Sequence, residues 1–265
     1  MTSPRQGWRP KLVALDIDGT LVDHVGTMPK PIHDAVQRIV ASGTPVVLAT
    51  GRAWYGTQVV FDALDLPPGP AVSSNGAVVS TYPPVNIVEE VTFDPADVID
   101  RISELVPQAL FGIEEPGVGH RVSGPFPEGD LQGKVTVVPI EELRKAPVTR
   151  VIVRDPNSSG QDFIRLAQQL GLHGVNYFIG YSAWLDIAPE GVHKATGLDT
   201  VCAMLDVDPA DVLAMGDGRN DIEMLSWAGR GVAIGDAPDE VKAAADHVTG
   251  RFVDGGTVAE LSRWF

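Results

Sequence analysis

The sequence predicts an α/β protein: a parallel sheet core with a separate α+β domain inserted into it. Three observations carry this. Apolar runs at Lys11–Leu15, Val46–Ala49 and Val212–Met215 each end abruptly at a small or acidic polar residue, as strands covered on both faces do. Segments of helical period lie between and after them. The stretch from Tyr82 to Ala188 has a different texture, with extended runs alternating with amphipathic helices.

Taken in order, the first run reaches Asp16, and Ile32, Ala35, Val36, Ile39 and Val40 then recur at helical spacing with Gly43 as a stop. The second run reaches Thr50. In the middle stretch, Asp94-Pro95 starts a helix carrying Val98, Ile99, Ile102 and Leu105. Gly- and Pro-rich Gly112–Gly133 is expected as loop, Val148–Val153 and Val175–Ile179 as strands, and Phe163, Leu166, Ala167 and Leu170 as a second helix before Gly171. Leu198, Val201, Cys202 and Leu205 form a further stripe, which makes Cys202 a packing residue. Val232–Ile234, Pro238–Ala245 and His247–Thr249 close the chain as strand, helix and strand. The expected division is a discontinuous core, 1–81 and 189–265, around an inserted domain, 82–188.

Composition narrows the partners. A hydrophobic content of 44% with 21% charged residues describes a soluble globular chain. A formal net charge of -15 argues against non-specific nucleic-acid binding, which needs a basic face. It does not exclude an anionic ligand, because a bound cation inverts the local field. No apolar run is long enough to cross a bilayer, the first ten residues carry no signal-peptide pattern, and Cys202 has no partner for a disulfide. A cytoplasmic location is expected, and oligomeric state is not encoded legibly.

The chemistry sits where the strands end, along the carboxyl edge at which open α/β sheets bind ligands. Asp16-Ile17-Asp18-Gly19-Thr20 puts two carboxylates at i and i+2, able to face one small volume, with Gly19 turning the chain away behind them. An EF-hand loop fits poorly, because its glycine follows a third ligand. Gly216-Asp217-Gly218-Arg219-Asn220-Asp221 is neither a Walker A loop nor a dinucleotide fingerprint; its Asp217 and Asp221 are hard oxygen ligands of the type magnesium takes. Thr50-Gly51-Arg52 offers a hydroxyl and backbone N–H groups to a phosphate oxygen. Lys194 is a cation placed to balance carboxylates and phosphate.

In this order the residues resemble the four motifs of the haloacid dehalogenase-like hydrolase superfamily. Asp16-x-Asp18-Gly19-Thr20 looks like the first, Thr50 the second, Lys194 the third, and Gly216-Asp217-x-x-x-Asp221 the fourth. The long insert, Asn75-Gly76-Ala77 and Gly231–Ala237 are similar to the Cof-type phosphatases with a C2B cap. The family often has Gly-x-Ser-Lys before its third motif and Gly-Asn-Ala in the late loop; this chain has His193 before Lys194, and Asp236 where that Asn stands.

The resemblance implies a Rossmann-like core and a Mg²⁺-dependent phosphatase acting on a small phosphorylated metabolite through an aspartyl-phosphate intermediate. It implies Asp16 as nucleophile and Asp18 as acid and then base. Magnesium would be held by Asp16, the backbone carbonyl of Asp18, and Asp217, with Asp221 direct or through water. Thr50 and Asn220, with Gly51, Arg52 and Asn75 nearby, would hold substrate and phosphate, and Lys194 would orient Asp16. Chemistry alone requires a nucleophile, a proton donor and strong charge stabilisation, since uncatalysed monoester hydrolysis is slow enough to need accelerations up to ~10²¹-fold. Two alternatives stay open: a sugar phosphomutase on the same fold, or a phosphate-binding regulator without turnover.

Overall fold

The computed structural model describes residues 7–155, 157–159, 161–162, 165 and 184–265, and residues 175–179 as backbone. The chain runs through β1 (Leu12–Leu15), α1 (Lys30–Ala41), β2 (Val46–Leu48), α2 (Trp54–Ala63), β3 (Gly69–Ser73), β4 (Val78–Tyr82) and β5 (Asn86–Glu90). Next come α3 (Ala96–Leu105), β6 (Leu110–Glu115), β7 (Gly119–Val122), β8 (Lys134–Val137), β9 (Val151–Arg154), β10 (Val175–Ile179) and β11 (Trp184–Pro189). The last part holds α4 (Lys194–Leu205), β12 (Val212–Gly216), α5 (Ile222–Trp227), β13 (Arg230–Ala233), α6 (Asp239–Ala244), β14 (His247–Val248) and α7 (Gly256–Leu261). Two compact units result: Met1–Arg52 with Thr57–Val88 and His193–Phe265, and Ala53–Gly56 with Glu89–Val192.

In the first unit five parallel strands run in the order β14-β13-β12-β1-β2. Each residue of β1 is buried, and alternate ones enter different cores: Val13 and Leu15 join Ile32, Val36, Ile39 and Leu213, whereas Leu12 and Ala14 join Leu198, Val201, Cys202 and Val212. This is why the strands read as unbroken apolar runs; both faces are covered. Helix α1 buries Ile32, Ala35, Val36 and Ile39, and each of its buried Ile and Val side chains contributes about 1.5–3 kcal/mol by leaving water. The helix ends at Ala41, and Gly43 adopts φ +82, a left-handed conformation that glycine takes without penalty. An antiparallel sheet, β3-β4-β5, is joined to β2 through a parallel bridge between Ala49 and Val72. That sheet, and helix α2, were not anticipated from the sequence.

The second unit contains a six-stranded sheet ordered β10-β11-β9-β6-β7-β8. Its core gathers Val98, Ile99 and Ile102 of α3 against Phe111, Ile113, Val151, Val153, Leu185 and Ile187. The carboxylate of Asp94 accepts the Ala96 N–H at 3.0 Å, an Asx turn just ahead of α3, whose N-cap is Pro95. Leu105, expected on the buried stripe, is half exposed. The loop expected over Gly112–Gly133 is corrected: β6 and β7 form an antiparallel pair there, with Glu114 opposite His120. The glycines mark close approach within the sheet. A Cβ on Gly112 would touch Val122, Phe126 and Ile152, and one on Gly119, at φ +143, would run into the Lys134 backbone. The helix expected from Phe163, Leu166, Ala167 and Leu170 to Gly171 lies outside the described residues. Among the described residues, no helix is long and apolar enough to cross a membrane.

Candidate active site

Strand register assembles the site. Leu15 lies opposite Met215 on one side and Leu48 on the other. Asp16, Thr50 and Asp217, each one or two residues beyond its strand, therefore leave the sheet at one edge. The Asp16 N–H donates to the Met215 carbonyl at 3.0 Å, holding the first acidic loop to the strand that feeds the second. Gly19, at φ +76, turns the chain back, and a Cβ there would collide with the Asp217 carboxylate. The glycine is thus a condition for bringing the two acidic loops together.

Lys194 enters this cluster from the first turn of α4. The His193 ring accepts the Thr196 N–H at 3.3 Å, while the Thr196 hydroxyl accepts the His193 N–H at 3.2 Å. This reciprocal cap fixes the start of the helix one residue before the lysine. An ammonium at a helix N-terminus is disfavoured by the helix dipole and by burial, so its partners must offset both. Lys194 Nζ lies 2.6 Å from Asp16 Oδ1 and 2.6 Å from Asp221 Oδ1, with no solvent exposure of the lysine side chain. Burial lowers the Lys194 pKa, but Asp16 and Asp221 more than compensate and leave it raised.

Asp221 also organises its own loop. Its Oδ2 accepts the N–H groups of Asp217 and Gly218 at 2.9 and 2.8 Å. Carboxylate oxygens of Asp16, Asp217 and Asp221 all lie within 4.8 Å of one another. Burial first, and Asp221 second, push the Asp16 carboxyl well above its ordinary value against the pull of Lys194. The same two causes push Asp217 up to about 7. Three acids and one ammonium leave an excess of negative charge in a buried place, which is the condition for a cation site. All three donors are hard oxygens of the type magnesium takes; its adjacent ligands stand about 3 Å apart and opposite ones about 4.2 Å, so the three carboxylates would draw together around such an ion.

The remaining expected residues gather beside this cluster, and the Asp18 carboxylate is near enough to help raise the pKa of Asp16 and Asp217 while its own ion-pair partner is Arg52. Asp18 is 57% exposed and receives two nitrogens of Arg52: Nε on Oδ2 at 2.9 Å and Nη2 on Oδ1 at 2.6 Å. Thr50 is buried, and its Oγ1 accepts the Arg52 N–H at 3.1 Å; that N–H, expected to be available to a phosphate, is engaged here. Asn220 Nδ2 donates to Asn75 Oδ1 at 2.9 Å, and a Cβ on Gly51 would press on both amides. Residues Ser74, Asn75 and Gly76 all have positive φ, a strained run of the kind that concentrates at functional sites. Two tight approaches escaped the sequence reading. Gly76 packs on the His193 carbonyl, and Gly216 packs on the Asp221 carboxylate. Glycine beside a motif is the signal that could have flagged them.

Comparison with known proteins identifies the family and the fold. A family model described as haloacid dehalogenase-like hydrolase matches residues 13–261. The 5-amino-6-(5-phospho-D-ribitylamino)uracil phosphatase YitU of Bacillus subtilis is 25% identical over 275 residues, covering 97% of this chain and 98% of that protein. A phosphoglycolate phosphatase of Methanopyrus kandleri is 28% identical over 240 residues, 89% of each chain. Among solved structures, a haloacid dehalogenase-like hydrolase from Bacteroides thetaiotaomicron superposes with a TM-score of 0.82 at 24% identity, covering 97% of this chain and all of that one. A sugar phosphatase of subclass IIB shares the fold at a TM-score of 0.80 and 21% identity, over 95% of this chain and 98% of that one. The chain belongs to the haloacid dehalogenase-like hydrolase family and, within it, to the Cof-type phosphatases.

Proposed function

We infer that the chain hydrolyses the phosphate monoester of a small metabolite, a sugar phosphate or a phosphorylated cofactor or precursor, through a phosphorylated Asp16. The observation that supports this most is the buried Lys194 ammonium shared between Asp16 and Asp221 beside Asp217. A structural ion pair needs one acid; this arrangement gathers three around one lysine at a sheet edge. Magnesium held by Asp16, Asp217, the Asp18 carbonyl and, directly or through water, Asp221 would neutralise charge between two anions that must meet.

Asp16 attacks phosphorus with its Oδ, and the bond from phosphorus to the leaving oxygen breaks. Asp18 gives that oxygen its proton. A water then attacks the acyl phosphate while Asp18 takes its proton back, releasing inorganic phosphate and restoring Asp16. Lys194 keeps Asp16 oriented through its 2.6 Å contact. Thr50, Gly51, Asn75 and Asn220 hold phosphate oxygens with hydroxyl and amide donors, which are worth most where water is excluded. We also propose that residues 82–188 act as a cap domain that selects the substrate. The names of relatives, one acting on a ribitylamino-uracil phosphate and one on phosphoglycolate, support the class of substrate and leave its identity to experiment. Phosphate release from a panel of phosphorylated sugars, cofactors and their precursors, with and without magnesium, tests the reading. Magnesium-dependent turnover of at least one compound is expected; no release from any of them with magnesium present would reject it.

A further inference from the structure

Arg52 stands in a motif expected to meet phosphate, yet its guanidinium grips Asp18 by both carboxylate oxygens, at 2.9 and 2.6 Å. The backbone at both ends is fastened. The Arg52 N–H donates to Thr50 Oγ1 at 3.1 Å, and its carbonyl accepts the Ser74 N–H at 2.8 Å. Asp18 is bridged to Val22, and the Gly19 N–H donates to the Val22 carbonyl at 2.8 Å. An isolated surface ion pair would carry little meaning, since most contribute below ~1 kcal/mol. This one is a two-point fork with a mostly buried arginine, which fixes the plane of the carboxylate as a single contact cannot.

We propose that Arg52 is a positioning residue for Asp18, holding its carboxylate in the orientation needed to hand a proton to the leaving group. This rests on the assignment of Asp18 as acid and base. An aspartate 57% exposed otherwise samples several rotamers, most of them unproductive, and orientation is a large part of what a catalytic group contributes. Guanidinium has no acceptor and does not deprotonate, so it cannot divert the proton. Each carboxylate oxygen keeps a second lone pair when the first is taken by an N–H, so transfer capacity survives the fork.

The test compares leaving groups. An alkyl phosphate such as glycerol phosphate departs as an alkoxide and needs the proton; 4-nitrophenyl phosphate departs as a stable anion and does not. With magnesium present, Arg52→Ala should lower kcat/KM for glycerol phosphate roughly 10- to 100-fold, part of the ~10²–10⁴-fold that general acid catalysis supplies. For 4-nitrophenyl phosphate the fall should stay within about threefold, and Asp18→Asn should show the same selectivity more strongly. Equal falls on both substrates would assign Arg52 to the phosphate and overturn the proposal. Selective loss in Arg52→Ala with none in Asp18→Asn would overturn it too, since the arginine would not act through that acid. Failure of the unaltered enzyme on every phosphate ester would instead reject the phosphatase reading beneath it. Thermal melting checks folding. Should Arg52→Ala melt early, Arg52→Lys keeps the charge, loses the fork, and should show the same selectivity at smaller size.

Discussion

Lys194 Nζ sits 2.6 Å from Asp16 Oδ1, the lysine side chain wholly buried and the aspartate nearly so. A buried acid so close to an ammonium is aimed by it, and the ammonium is retained only because acids face it. Replacing Asp16 by Asn preserves shape and removes the attacking oxyanion. Turnover should fall by at least ~10³-fold with the melting temperature little changed. Hydroxylamine should release a phosphate-labelled acyl adduct from the unaltered enzyme and none from Asp16→Asn. A labelled adduct that persists in the variant would move the nucleophile elsewhere.

Removing the lysine tests the other half of the pair. Lys194→Met leaves Asp16 and Asp221 buried without their shared cation, a change that typically costs about 3–5 kcal/mol. Urea denaturation should show a loss of that size in the metal-free protein, together with loss of activity. Adding Asp221→Asn should recover part of the stability and none of the turnover, because the second change removes one stranded charge while the site stays incomplete. Additive destabilisation would mean the two side chains do not share an electrostatic site.

Asp217 provides a pH signature. Without a cation, burial and then Asp221 raise its pKa from 3.8 to about 7. An acid whose folded pKa is raised binds its proton more tightly folded than unfolded, so the metal-free protein should lose stability as pH rises from about 4 to about 7. A divalent cation favours the ionised form and competes with that proton. Magnesium affinity, read by calorimetry, should therefore increase as pH rises toward and through 7, with protons released on binding. In Asp217→Asn the affinity should drop and its pH dependence flatten. Unchanged affinity in that variant would remove Asp217 from the cation site.

The core and most of the site residues were legible because strand register converts sequence position into spatial position. Asp16, Thr50 and Asp217 all follow apolar runs, and the pairing of Leu15 with Met215 and Leu48 makes those run ends coincide. Other features were hidden for physical reasons. Gly112 and Gly119 serve close approach inside a sheet, and composition alone cannot distinguish that use from a flexible loop. Helix α2 places Val59 in solvent beside buried Val60 and Phe61, with Gly56 and β-branched residues that weaken any helical signal. The orientation of Asp18 toward Arg52 depends on side-chain rotamers, which spacing does not report.

Gly76 tests whether the strained turn carries function. Its φ is +100, and a Cβ would enter the His193 carbonyl at the start of α4. Gly76→Ala must shift either the turn that carries Asn75 or the helix end that carries Lys194. We expect kcat to fall by at least about tenfold and stability by about 1–3 kcal/mol. Gly43→Ala is the matched comparison, because φ is +82 there and nothing lies within 4 Å of the added atom. It should lose about 1–2 kcal/mol and keep its kcat. Equal kinetic effects of the two substitutions would detach the turn from the site.

Glu260 closes the first unit away from the site. Its Oε1 accepts Arg230 Nε at 2.7 Å and Trp264 Nε1 at 3.0 Å, and its Oε2 accepts Arg263 Nη1 at 3.3 Å, with the carboxylate almost fully buried. Burial would raise its pKa, but the hydrogen bond from Arg230, followed by the remaining donors and positive charges, outweighs it and leaves the pKa lowered. An acid with a lowered folded pKa contributes stability above its unfolded value, and that contribution is lost as pH falls through the folded one. Glu260→Gln keeps the shape and gives up the charge. It should lower unfolding free energy by about 1–3 kcal/mol at pH 7, and the gap to the unaltered protein should narrow below about pH 4.5, where the unfolded chain takes up this proton before the native carboxylate does. Urea titrations of both proteins across that range measure the gap directly. A difference that stays constant with pH would assign the effect to packing of the C-terminal helix, leaving no part for the charge.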